Sequence, residues 1–181
     1  YAADSTLLTE FAVERRTQVP ISEMPQNLIN AVISIEDHRY FEHIGINVMR
    51  IAKALAVDVL SGEAKEGGST ITQQLAKVLF LTPKKTIKRK VREAILAFEI
   101  EKLYTKEEIL ALYLNQIPFG NGTYGVAAAS QGYFGKEVSE LNLAECALLA
   151  ALPKAPSRYN PFRNPDLAKD RRDLVIRRML A

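Results

Sequence analysis

Ile29-Asn30-Ala31-Val32-Ile33-Ser34-Ile35-Glu36-Asp37 places Ile29, Val32 and Ile33 seven, four and three residues before Glu36, with Tyr40 four residues after it. This is the spacing of one helix face, not the alternation of a half-buried strand. The same spacing dominates the chain, and the one candidate strand is a short run near Thr6 to Arg15. The domain is therefore expected to be mainly α. The stretch also sets a chemical problem, because Glu36 carries a carboxylate into an apolar column. Removing a carboxylate from water disfavours its charged form. Three readings are open: compensation by a partner, a proton-transfer group with a raised pKa, or a helix-end side chain that snorkels out beside His38 and Arg39.

Outward from this stretch, Pro25 opens a helix expected to run to about His38, and a second is expected from about Asn47 to Ser61, with Gly62 after it. A polar turn, Glu63 to Gly68, leads to a helix starting near Ser69 and ending before Pro83. Thr82 is expected to cap a long basic helix reaching about Tyr104, with Pro83 in its first position. Thr105 and Glu108 form a capping-box pattern for the next. Gly120, Gly122 and Gly125 break the chain before an Ala-rich helix that ends at Gly135. Further helices are expected from about Asn142 to Ala151 and from Asn164-Pro165 onward.

At 181 residues the chain is one typical domain, or at most two small lobes. Its one cysteine, Cys146, lies in an apolar helical run and reads as a buried, inert thiol. No apolar run reaches the roughly 18 residues needed to span a bilayer, and no signal peptide is present. The chain begins at Tyr1 without a methionine, so it is expected to be a piece of something longer. The formal net charge of +3 conceals a concentrated patch: Lys84, Lys85, Lys88, Arg89, Lys90 and Arg92 fall within nine residues that contain no acid. Nucleic-acid phosphates, an anionic membrane surface, a phosphorylated substrate and plain solvation all remain compatible with it.

The helix after His43 has Val48, Met49, Ile51, Ala52, Leu55, Ala56, Val59 and Leu60 over about half its circumference, bordered by Arg50 and Lys53. Core packing or lipid contact would explain such a face. In Gly67-Gly68-Ser69-Thr70-Ile71-Thr72-Gln73-Gln74-Leu75-Ala76-Lys77, a helical wheel gathers Ser69, Thr70, Gln73, Gln74 and Lys77 within about 140°. That face suits sugar or amide recognition, with Lys77 and the helix N-terminus suited to an anion; an amphipathic surface helix is the alternative. Glu93 stands between Arg89 and Lys90 on one side and Leu96, Ala97 and Ile100 on the other. It is either half of an intrahelical ion pair or a carboxylate held charged beside phosphate-binding cations. Neither His38 nor His43 has a strong metal-ligand spacing, so a structural hydrogen bond is the expectation for His43.

Five segments occur in a fixed order: Glu36-Asp37 through Tyr40 and His43 to Gly45, then Gly67 to Lys77, then Arg89-Lys90 with Glu93, then Ile109 to Asn115 through Tyr133-Phe134-Gly135-Lys136, and last Ala144 to Pro153. In these motifs the chain resembles the peptidoglycan glycosyltransferase domain of class A penicillin-binding proteins and monofunctional transglycosylases, from about Pro20 to its end. Tyr40 departs from the phenylalanine more common in that family but keeps the ring. The tail from Pro153 to Met179 is similar to the bifunctional members, in which a transpeptidase domain follows.

The resemblance implies a lysozyme-like large lobe with a smaller membrane-facing lobe at about residues 44–66, in a single domain covering residues 1–181. It implies processive, inverting polymerisation of lipid II into β-1,4-linked glycan, with release of undecaprenyl pyrophosphate, at the outer face of the bacterial cytoplasmic membrane. Glu36 would be the general base and Glu93 the second catalytic carboxylate. Lys77, Arg89, Lys90 and the weaker candidate Lys85 would face the pyrophosphate. Ser69, Thr70, Gln73 and Gln74 would line the cleft, supported by Asp37, His43 and Asn115. No cofactor is required; a divalent cation (Mg or Mn) assists some members. Lipid II, the growing glycan strand and the membrane surface are the expected partners. Nucleic acid is not, because a nucleic-acid module would leave Glu36 and the paired glutamines unexplained. A glycan-cutting hydrolase is the nearest rival, and it has no use for a cationic patch.

Overall fold

The computed structural model describes residues 17–46, 69–81 and 86–181. The possible strand near Thr6, the helix after Asn47, most of the membrane-facing lobe, Thr82 as a cap and Lys85 lie outside the described residues. The described part is mainly helical, as expected. In chain order it contains α1 (Gln26–Glu36), α2 (Ile71–Phe80), α3 (Ile87–Leu103), α4 (Lys106–Gln116), β1 (Pro118–Gly120), β2 (Thr123–Tyr124), α5 (Val126–Phe134), α6 (Leu143–Ala151) and α7 (Pro165–Met179). Helices α1, α6 and α7 pack on one another, while α2 is covered by α3 and α4. One apolar core runs through both groups, from Leu28 and Val32 of α1 through Leu75 of α2 and Leu110 and Leu114 of α4 to Leu149 of α6. Each of these large side chains, removed from water, contributes roughly 1.5–3 kcal/mol.

Capping sets the frame. Thr105 accepts from the Glu108 amide while Glu108 reaches back to the Thr105 amide, and Asn142 and Glu145 repeat the arrangement at α6. Gly135 ends α5 in the left-handed conformation. Three boundaries differ from expectation: the end of α1 and the starts of α2 and α3. Helix α1 stops at Glu36, two residues early, because Asp37 leaves helical geometry and turns its carboxylate elsewhere. Tyr40 consequently sits in a short 3-10 turn, Tyr40–Glu42, and not on the face of Glu36. Helix α3 is capped by Thr86, whose hydroxyl accepts from the Arg89 amide.

The glycine-rich loop is in fact a tight antiparallel hairpin, with Pro118 opposite Tyr124 and Gly120 opposite Thr123. Asn121 and Gly122 at its tip both have positive φ, 51° and 73°, the arrangement that a two-residue hairpin turn requires. Gly125 follows at φ +80°, and a Cβ built there would lie 2.6 Å from the Asn115 carbonyl oxygen. Replacing Gly125 by Ala should therefore cost about 2 kcal/mol or more, read as a lowered denaturant midpoint with an unchanged m-value.

Cys146 is fully buried. Burial pushes its thiol up to about 11, and Glu145 adds to the rise. In the native protein Cys146 should resist thiol reagents at pH 8 and react at the ordinary rate once unfolded. The unfolded thiol ionises before the folded one does, so stability should also fall as pH rises from about 9 towards 11.

Candidate active site

Glu36 ends α1 half-buried, and its carboxylate accepts a hydrogen bond of 2.8 Å from Gln74 Nε2. The three-way choice is thereby narrowed: the side chain has a partner, and the apolar column is only part of its surroundings. Val32 is fully buried beside it in the helix, but Tyr40 has left the column. Gln74 in turn accepts from the Tyr113 hydroxyl at 3.2 Å. Burial pushes the Tyr113 phenol well above its ordinary range, with nearby Glu36 and Asp37 adding to the effect.

Asp37 has no exposed surface. Its Oδ2 accepts from His43 Nε2 at 2.8 Å and from the Ile71 amide at 3.2 Å. The Gly45 amide donates to His43 Nδ1 at 3.2 Å, so the ring proton lies on Nε2 and points at Asp37. His43 thus makes the structural hydrogen bond expected of it.

At the start of α2, Thr70 is the N-cap and not part of the helix, which is why a wheel drawn from Ser69 misplaces it. Its hydroxyl accepts from the Gln73 amide and donates to the Gly45 carbonyl at 2.6 Å, while Gln73 Oε1 accepts from the Thr70 amide. Thr70 and Gln73 are buried in a capping box and do not line a cleft. Gln74 alone of the glutamine pair reaches a catalytic candidate. Lys77 is exposed further along α2.

Glu93 is 1% exposed on α3. Lys90 Nζ donates to its Oε1 at 2.6 Å and to Ser69 Oγ at 2.5 Å, tying α3 to the chain just ahead of α2. Glu93 Oε2 has no hydrogen-bond partner among the described residues. Arg89 lies half-buried in the first turn of the same helix. Asn115 is bonded to backbone through its whole amide. Its Oδ1 accepts from the Val19 amide, and its Nδ2 donates to the carbonyls of Val19 and Ala111. Every polar atom of that side chain is bonded to backbone, so it anchors the entry segment, and it lines a cavity with Val19, Tyr104 and Leu112.

A network absent from the sequence reading completes the site's foundation. Lys106 Nζ donates to Glu101 and to the His43 carbonyl, at 2.7 and 2.6 Å, and Thr72 Oγ1 donates to Glu101 at 2.5 Å. Lys106 also stands 4.6 Å from the centre of the Tyr40 ring, and the Tyr40 hydroxyl donates to the Lys106 carbonyl at 2.8 Å. One signal was available: Lys106 opens a helix, where the macrodipole disfavours a cation, so it needs an acid nearby. Among the described residues, no three His, Cys, Asp or Glu side chains are grouped to hold a metal ion.

Two glutamates, one held by an amide and the other by an ammonium, thus stand on a mainly helical frame. A family model described as Transglycosylase matches residues 4–180. The chain belongs to the transglycosylase family. It is 51% identical over 180 residues to penicillin-binding protein 1A of Aquifex aeolicus, covering 99% of this chain and 25% of that protein. Penicillin-binding protein 1A of Escherichia coli is 48% identical over 180 residues, covering 99% and 21%. A crystal structure of penicillin-binding protein 1A from Haemophilus influenzae matches with a TM-score of 0.51 at 30% identity, over 91% of this chain and 15% of that one. The chain thus spans about a quarter or less of the length of the relatives it matches.

Lys106 and Glu101 are mostly buried, so removing one leaves the other without its counter-charge. Lys106→Met should destabilise the protein by about 3 kcal/mol. Adding Glu101→Gln should recover part of that loss in thermal unfolding.

Proposed function

We propose that this domain polymerises lipid II into β-1,4-linked glycan strands, processively and with inversion, releasing undecaprenyl pyrophosphate. The observation that carries the reading is the placement of both glutamates about the first turns of α2. Glu36 is held through Gln74, and Glu93 through Lys90 to Ser69. Glu36 takes the proton of the acceptor hydroxyl as that oxygen attacks the anomeric carbon of the donor, and the bond to the pyrophosphate breaks on the opposite side. Glu93 acts from its ion pair with Lys90. Its carboxylate stabilises the positive charge that develops on the sugar and orients Lys90, and the cations Lys90, Arg89 and Lys77 balance the leaving pyrophosphate. Lys85 remains assigned to the same role.

Within this reading Asp37, His43, Thr70 and Gln73 build the site without touching substrate. Ser69 and Gln74 stand at its edge. A divalent cation, Mg or Mn, held at the pyrophosphate would add to the positive charge that Lys77, Arg89 and Lys90 supply there. The full-length protein carries a transpeptidase domain and works at the outer face of the bacterial cytoplasmic membrane. A membrane surface fits the exposed Val91, Ile95 and Phe98, which share one face of α3 beside Lys88 and Arg92.

Glu36→Gln should lower the polymerisation of labelled lipid II by about 10³-fold while leaving the unfolding midpoint and lipid II binding near those of the parent. Products resolved by length give the answer. Full-length strands from Glu36→Gln would remove the base from the mechanism, and cleavage of preformed glycan without synthesis would replace the transferase with a hydrolase.

A further inference from the structure

A carboxylate accepts hydrogen bonds and has none to give, so the Gln74 group facing Glu36 must be the NH₂ end of its amide. That choice turns Gln74 Oε1 the other way, towards Tyr113. An amide oxygen is also only an acceptor, so the Tyr113 hydroxyl must donate, and it does so at 3.2 Å. Donor polarity along the line from Tyr113 to Gln74 to Glu36 is therefore fixed at every link. Without Tyr113, Gln74 Oε1 loses its donor, and the amide is held in place at one end only. An amide free to swing about that remaining bond no longer fixes the direction from which it meets the Glu36 carboxylate.

We propose that Tyr113 is a positioning residue for the base Glu36, acting through the orientation of the Gln74 amide. The inference rests on the assignment of Glu36 as base. Its geometry suits a fixed device: Tyr113 and its neighbour Leu114 are fully buried, Gln74 is half-buried, and the Tyr113 side chain has a single polar atom, whose bond leads to the site. Burial and the nearby carboxylates keep the phenol protonated, which preserves it as a donor across the working pH range. Tyr113 itself touches no reacting atom.

The test is a double-mutant cycle on lipid II polymerisation, with Tyr113→Phe, Gln74→Met and both together, rates being expressed per folded protein. Tyr113→Phe should lower kcat about tenfold with KM within about twofold, because the base is misaligned while substrate contacts persist. Gln74→Met should lower kcat at least as far. In the Gln74→Met background, Tyr113→Phe should change kcat by less than about twofold. Parental kcat in Tyr113→Phe would overturn the proposal, as would equal losses from Tyr113→Phe in both backgrounds. A rise in KM alone would overturn it too. Glu36→Gln is run beside them: if it retains turnover, the base assignment itself has failed, whereas an inactive Glu36→Gln beside a fully active Tyr113→Phe removes only the positioning role.

Discussion

The buried carboxylate of Asp37 is the constraint on which the site depends. It ends α1 by leaving helical geometry, accepts from His43 and so pins the turn that follows, and accepts from the Ile71 amide at the start of α2. The end of α1, the turn that follows it and the start of α2, 34 residues on, are joined at one oxygen. Glu36 is its immediate neighbour and inherits its fixed backbone. Gln74 lies three residues beyond Ile71, close to one helical turn, and is brought to Glu36 by the same contact. A carboxylate wholly removed from water is tolerated only with such partners, and here each partner is also a structural element that must be placed.

The turn from Tyr40 to Gly45 needs fixing from the other side as well. Lys106 supplies it by donating to the His43 carbonyl while paired with Glu101. Gly45 lies close beneath, at φ +80°, where a Cβ would come within 2.8 Å of the Ala97 carbonyl and 2.9 Å of Glu101. The approach of this turn to α3 thus requires glycine. The Thr70 hydroxyl, donating to the Gly45 carbonyl, closes the circuit back to α2. Charge, cap and close packing serve one end: they hold the segment after Glu36 against the start of α2.

Local signals in the sequence were read well and distant ones were not. The capping box at Thr105 and Glu108, the stop at Gly135 and the launch at Pro165 depend on residues within a turn of each other, and the structure has all three. The hairpin at Asn121-Gly122 was missed because its strands are too short to show alternation. The expected start of α2 falls two residues early because two glycines and two hydroxyls precede it, and only the reciprocal bonds of Thr70 and Gln73 decide which hydroxyl caps. Asn115 pairs with Val19 across 96 residues of sequence, and Tyr113 with Gln74 across 39. No local pattern encodes such contacts. Glu36, by contrast, stood out from the sequence alone because a charge in an apolar column is locally inconsistent, and such inconsistencies gather at functional sites.

The two glutamates differ in what surrounds them, and the difference separates their proposed roles. The amide that Gln74 offers Glu36 is neutral, so this contact requires no separation of charge when Glu36 takes up a proton during transfer. Protonating Glu93 would instead break its ion pair with Lys90 and leave that ammonium holding only Ser69. Glu93 also keeps one buried oxygen without a donor among the described residues, an arrangement that costs stability in the resting protein. A positive charge forming within reach of that oxygen would offset the cost only while it lasts. An interaction stronger in the transition state than in the ground state is what accelerates a reaction, and it suits the carboxylate that must remain charged throughout.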